Sequence, residues 1–220
     1  MKSSLFRSLW SLHLITPRGF IRLLRCFLHE GITMMAAVRF AARYHAHECA
    51  IVSDNQRIDY QDFYAFAKKL SYVLYHEYQL RSGQHVALFC RNHFVSALLL
   101  PALSRLGVNV KLLNTDLSNE QLLQLMSRPF ALFIYDKELL QVENIDISCP
   151  QVSCESLLET IKEQLLTDNV VLPYITLGGN ISVMTGGSSG NYKEAARQTG
   201  IVQFLPPFFS LLRDLHIDSY

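Results

Sequence analysis

From about Glu48 the sequence alternates short apolar runs with segments of helical period, and this alternation limits the possible folds more than any other feature. Ala50-Ile-Val52 and Arg57-Ile58 flank the turn Asp54-Asn55 and read as a hairpin. Asp59 is placed to cap a helix in which Tyr60, Phe63, Ala67, Leu70 and Leu74 keep the helical period, with Asp62 near its positive end. His85-Val-Ala-Leu-Phe-Cys90 reads as a buried strand. Residues 94–106 read as an apolar helix containing Pro101 and stopped by Gly107, and 108–113 as the next strand. Ser118-x-x-Gln121 has the form of a capping box, 131–135 that of a third core strand, 156–166 that of an amphipathic helix, and 180–185 that of a further strand. Parallel strands need long crossovers, usually helical. The pattern therefore predicts an α/β fold, a mainly parallel sheet with helices on both faces. Ligands in such sheets bind beyond the carboxyl ends of the strands.

The last of these strands runs into Thr185-Gly-Gly-Ser-Ser-Gly-Asn-Tyr-Lys193, a turn of small and hydroxyl residues closed by a cation. Gly186, Gly187 and Gly190 allow successive backbone N–H groups to converge on one anion. Thr185, Ser188 and Ser189 add hydroxyl donors, and Lys193 adds a mobile ammonium. On composition the turn is either a phosphate loop or a flexible surface turn. It is not a Walker A loop, since Asn follows Gly190, and the chain holds no G-x-G-x-x-G.

With 220 residues, half of them hydrophobic, the chain can bury a sizeable core, and a net charge of +1 carries no nucleic-acid signature. Its cysteines (Cys26, Cys49, Cys90, Cys149, Cys154) are odd in number and lack C-x-x-C spacing, which points to reduced thiols and a cytoplasmic setting. His45 and His47 read as a surface pair, so no metal site is assigned. Charge is uneven: residues 1–47 carry +6 and the remainder −5, with Glu30 the one acid of the first part. Arg18, Arg22, Arg25 and His29 fall on one helical stripe, while Phe20, Leu24, Phe27 and Leu28 gather away from it. A basic amphipathic helix of this kind serves either of two purposes, contact of residues 1–30 with a membrane surface or capping of the domain's own core. No apolar run is long enough to span a bilayer.

Thr185-Gly-Gly-Ser-Ser-Gly-Asn-Tyr-Lys193-Glu194 resembles the [ST]-[SG]-G-[ST]-[ST]-G-x-P-K-G signature of AMP-forming, adenylate-forming enzymes, with Tyr192 in place of Pro and Glu194 in place of Gly. Other segments are similar in the same order. Ile58-Asp-Tyr-Gln-Asp-Phe63 resembles L-T-Y-x-E-L, Ser82-Gly-Gln-His-Val-Ala87 resembles G-D-x-V-A, and Arg91-Asn92 stands at the family's P-N. Leu106-Gly107 through Leu113-Asn114-Thr115 is similar to a segment of long- and very-long-chain fatty acyl-CoA synthetases.

The resemblance covers about residues 33–200 and implies an ATP-dependent fatty acid–CoA ligase that uses Mg2+ and takes coenzyme A as co-substrate. In such an enzyme Thr185, Gly186, Gly187, Ser188, Ser189 and Gly190 would hold phosphates, and Lys193 would follow the pyrophosphate. It also implies three parts: a basic N-terminal extension (1–47), an α/β subdomain (48–178), and a strand, phosphate loop and start of the next subdomain (179–220). The family's later motifs have no counterpart before Tyr220, so the chain reads as an N-terminal fragment, inactive alone. The strand carrying Val183 is then expected to take neighbours from beyond Tyr220, and the apolar segment 201–212 to pack on another copy or to be poorly ordered. Two other readings stand beside the ligase, a non-catalytic nucleotide- or acyl-binding module and a membrane-peripheral interaction protein.

Overall fold

The computed structural model describes residues 17–53, 56–139, 147–163, 172–185 and 193–196. Two helices open it, α1 (Pro17–Glu30) and α2 (Met34–Tyr44), followed by a separate antiparallel hairpin of β1 (Cys49–Ser53) and β2 (Gln56–Asp59). Helix α3 (Tyr60–His76) starts where the sequence predicts. Asp59 Oδ1 accepts the backbone N–H of Asp62 at 2.9 Å and so satisfies one of the donors that a helix start leaves open. Then come β3 (His85–Phe89), α4 (Phe94–Arg105), β4 (Asn109–Leu112), α5 (Asn119–Met126), β5 (Leu132–Tyr135), β6 (Gln151–Ser153), α6 (Cys154–Glu163), β7 (Ile181–Thr185) and β8 (Lys193–Ala196). The expected capping box opens α5, with Ser118 and Gln121 exchanging side-chain and backbone hydrogen bonds.

The main sheet has the order β6-β5-β3-β4-β7-β8. Its first five strands are parallel, and β8 closes one edge antiparallel. Successive side chains of β3 and β5 point to opposite faces, and both faces are covered. On one, Val86, Leu88, Leu132 and Ile134 pack with Leu70 and Leu74 of α3, Leu98 and Leu99 of α4, and Leu157 and Ile161 of α6. On the other, Ala87, Phe89 and Phe133 pack with Leu122, Leu125 and Met126 of α5. Burying each such Leu, Ile or Phe contributes roughly 1.5–3 kcal/mol, so the sheet is held from both sides. This is the doubly covered α/β architecture that the alternation predicts.

One expectation is corrected. Strand β7 does not wait for neighbours from beyond Tyr220: Leu112 of β4 stands opposite Val183, and on the other side Lys193–Ala196 folds back so that Ala195 stands opposite Val183. The physical reason is a hairpin return after the glycine-rich turn, which the polar, β-poor run Lys-Glu-Ala-Ala does not advertise. Segment 201–212 lies outside the described residues.

Helices α1 and α2 are fastened to the domain. Met35 is fully buried in the larger core, and Glu30, 6% exposed, accepts from Arg39 Nη1 at 2.7 Å, Arg105 Nε at 2.8 Å and the Tyr64 hydroxyl. Residues 172–180 run past the α1–α2 junction and deliver the chain to β7. Ile32 N donates to Thr176 O at 2.9 Å, Gly178 N donates to Ile32 O at 3.0 Å, and Arg105 Nη1 donates to Pro173 O at 2.9 Å. Gly31 has a φ of +70°, and a Cβ there would sit 1.7 Å from the Ile175 carbonyl oxygen. At Gly179 a Cβ would sit 2.0 Å from Val108 O. Only glycine permits these two approaches.

Candidate functional site

The glycine-rich turn leaves the carboxyl end of β7, on the same edge of the sheet as the ends of β3, β4, β5 and β6. Thr185 and Lys193, the two ends of the predicted phosphate loop, are register partners in the β7–β8 pair. The backbone thus brings the loop's first hydroxyl residue and its lysine side by side. Gly186, Gly187, Ser188, Ser189 and Gly190 lie outside the described residues.

Beside this hairpin a cleft of about 640 Å³ opens at the carboxyl ends of β3 and β4. Leu88, Leu112 and Leu113 line its apolar side, while Cys90, Arg91, Asn92, His93 and Ser96 line its polar side. Leu112 is the register partner of Val183, so the cleft and the loop-bearing strand are adjacent. Arg91-Asn92, singled out in the sequence, is brought to this cleft.

A cluster of titratable groups that the sequence does not reveal underlies the cleft. His93 caps α4 in an unusual way: its Nδ1 accepts the backbone N–H groups of Val95 at 3.1 Å and Ser96 at 3.4 Å, while Ser96 Oγ accepts His93 N at 2.9 Å. A ring nitrogen that accepts two N–H groups carries no proton, so the proton sits on Nε2 and is donated to Asp136 Oδ1 at 2.7 Å. The hydrogen bond with Cys154 and the Asp136 carboxylate push the His93 pKa up to about 9 against the opposing effect of burial, whereas the two helix N–H groups at Nδ1 favour the ring with that nitrogen unprotonated. Asp136 Oδ2 accepts Arg91 N at 2.7 Å, so both carboxylate oxygens are engaged.

The Cys90 and Cys154 sulfurs are 3.2 Å apart; this shared contact and burial push the Cys154 thiol well above the usual range. Cys90, Asp136 and Cys154 place three ligand atoms within 4.8 Å of one another, the one such cluster among the described residues. The sulfurs face each other and the carboxylate is satisfied by His93 and Arg91, an arrangement that is complete as a buried polar network. His45 and His47 are not brought together on a common ligand: His45 Nδ1 meets Glu48 Oε1 at 2.7 Å, and His47 Nδ1 lies 3.6 Å from Asp59 Oδ2. Among the described residues no helix is long and apolar enough to cross a membrane.

No family model matches the sequence, and no curated protein matches it. Solved structures do match the fold. O-succinylbenzoate coenzyme A synthetase from Bacillus subtilis, in complex with AMP, superposes with a TM-score of 0.61 at 18% identity over 76% of this chain and 43% of that one. The same synthetase is also solved with ATP and a magnesium ion. The N-terminal subdomain of NpsA from Klebsiella oxytoca gives 0.61 at 17% identity over 75% and 40% of the two chains. The N-terminal domain of FACL13 from Mycobacterium tuberculosis gives 0.62 at 20% identity over 76% and 44%. The chain thus spans less than half the length of each of these proteins, and its fold is that of the N-terminal part of adenylate-forming enzymes.

Proposed function

We propose that this chain is the N-terminal, phosphate-loop-bearing part of an AMP-forming acid–thiol ligase, with a fatty acid as the carboxylate substrate and coenzyme A as the acceptor. The observation that carries the reading is the coincidence of fold and motif. In the fold shared with the coenzyme A synthetase, a strand at the carboxyl edge ends in Thr185 and returns with Lys193 directly opposite. The same residues bound the segment that resembles the adenylate-forming signature.

In this role Thr185, Ser188 and Ser189 would donate hydroxyls, and Gly186, Gly187 and Gly190 backbone N–H groups, to the phosphates of ATP. Lys193 would move with the charge that develops on the departing pyrophosphate. Mg2+ would share that charge, and no described residue of this chain is assigned to it. A carboxylate attacking the α-phosphorus gives an acyl-adenylate and pyrophosphate, and the coenzyme A thiol then takes the acyl group, breaking the acyl–phosphate bond and releasing AMP. Such a reaction needs positioning and charge neutralisation more than a protein nucleophile. The fatty-acid assignment is supported by the similarity of 106–115 to long-chain synthetases, and the cleft lined by Leu88, Leu112 and Leu113 adds an apolar wall next to β7.

The test is ATP–pyrophosphate exchange by the longer protein that carries this sequence. Exchange that depends on a long-chain fatty acid, and that the 220-residue chain alone does not perform, is the expected result. Tight ATP binding with no exchange for any carboxylic acid would make the chain part of a nucleotide-binding module instead.

A further inference from the structure

Helix α1 is docked through one face only. Gly19, Cys26 and Glu30 are buried, and the bonds of Glu30 to Arg39, Arg105 and Tyr64 fix the helix on the domain. The opposite side is unusually apolar for a surface that faces solvent: Phe20 is 62% exposed, Leu28 66%, Ile21 49% and Leu24 45%. At 100° per residue these four form one continuous stripe. Tyr174, also exposed, donates its hydroxyl to the Phe27 carbonyl at 3.3 Å and so sets its ring alongside the end of the same helix.

Next to the apolar stripe lies a basic one. Arg18, Arg22, Arg25 and His29 are all exposed, and none of the three arginines has an ion pair with a described acid. Arg22 is held over the Tyr44 ring at 4.6 Å, which orients its guanidinium without neutralising it. A helix fastened in this way therefore presents large apolar side chains, a flanking tyrosine and cations without an ion pair among the described residues to the outside. Water satisfies the cations but not the apolar groups. An apolar protein partner would satisfy the apolar groups but not the cations. An anionic lipid surface satisfies both, because its acyl boundary accepts the Phe and Leu side chains while its phosphates meet the arginines.

We infer that α1 is a membrane-surface element that lies in the plane of an anionic phospholipid bilayer, with Phe20, Ile21, Leu24 and Leu28 at the acyl boundary and Arg18, Arg22 and Arg25 at the headgroups. Binding is interfacial, without a span. It places the domain's lipid-facing side on α1 whatever reaction the domain serves, so the inference stands or falls independently of the ligase reading.

Vesicle sedimentation of the 220-residue chain, without nucleotide, tests it. Vesicles of phosphatidylcholine alone are compared with vesicles containing about 30% phosphatidylserine. The expected result is at least about tenfold stronger partition onto the anionic vesicles, lost on raising the salt to roughly 0.5 M. The pair R18Q and R25Q should lower anionic-vesicle binding by about tenfold or more, and the pair F20S and L28S should lower it on both vesicle types. Because these side chains are exposed, circular dichroism and the melting midpoint should be unchanged. If the apolar variant does unfold, an environment-sensitive fluorophore at Leu24→Cys provides the second readout, a blue shift on anionic vesicles. Equal partition onto both vesicle types, or arginine variants that bind like the parent, would overturn the inference. So would a dimer that F20S and L28S dissociate while no form binds vesicles, since the face would then belong to a second copy of the chain.

Discussion

Replacing Glu30 with Ala is the sharpest test of how the N-terminal helices are attached. The carboxylate is 6% exposed and is the shared acceptor of Arg39, Arg105 and Tyr64. Removing it leaves Arg105, whose side chain is only 8% exposed, with the Pro173 carbonyl as its remaining acceptor among the described residues, and strips the Tyr64 hydroxyl of its own. Breaking a buried pair by deleting one partner costs about 3–5 kcal/mol, because a charge stays buried without compensation. A domain of this size stands only about 5–15 kcal/mol above unfolding, so the substitution removes a large share. At about 2–4 °C per kcal/mol the melting midpoint should fall by on the order of 10 °C. Urea unfolding with an unchanged slope measures the free energy directly. Arg39→Ala provides the control: its side chain is 24% exposed, and its loss should cost about 1 kcal/mol. A loss below about 1 kcal/mol for Glu30→Ala, or equal losses for the two variants, would refute the claim that a buried charge cluster fastens α1.

Further outcomes follow from the same structure. Burial opposes ionisation of Glu30, but hydrogen bonds from Tyr64 and Arg39 and the Arg105 charge outweigh it and hold its pKa below the ordinary 4.5. A depressed carboxyl pKa contributes stability that is complete above the unfolded value and is lost as pH falls through the folded one. The stability difference between the parent and Glu30→Gln should therefore be constant above about pH 5 and shrink below it; a difference that grew on acidification would contradict the assignment. Gly31→Ala should destabilise by roughly 2 kcal/mol or more, because φ is +70° and the new Cβ meets a backbone oxygen, and chemical denaturation would register it. In a ligase that carries this segment, as proposed above, Lys193→Ala should slow pyrophosphate exchange more than it weakens ATP binding, since its charge would act as pyrophosphate leaves. A raised KM at unchanged kcat would argue against that role.

The sequence reveals elements whose signal is local and misses those whose signal is relational. β3 and β5 are apolar runs, α5 carries its own capping box, and Asp59 caps α3 through a neighbour three residues away, so each is visible within a short window. β6 has only Gln-Val-Ser, and β8 has Lys-Glu-Ala-Ala; both are strands because a partner strand is present, not because their residues prefer to extend. Glu30 is a similar case. It is visible as the lone acid in a basic stretch, but its three partners come from three different helices. Its isolation among cations was the available clue. The candidate site divides the same way: the register partners Thr185 and Lys193 both fall within the motif, whereas the His93–Asp136–Cys154–Cys90 cluster gathers residues from three separate points of the chain, 90–93, 136 and 154.

The pairing of Thr185 with Lys193 fixes where the seven residues between them leave and rejoin the sheet. Opposed residues of an antiparallel pair stand about 4.5–5.5 Å apart at their Cα atoms, so the separation of these two attachment points is set by sheet hydrogen bonds. The entropic cost of bringing the two ends together is thereby offset within the sheet itself. Shifting β8 by one residue would turn the whole strand over and break the correspondence between Thr185 and Lys193. Strand register, rather than the composition of the turn, therefore decides which residue stands opposite Thr185.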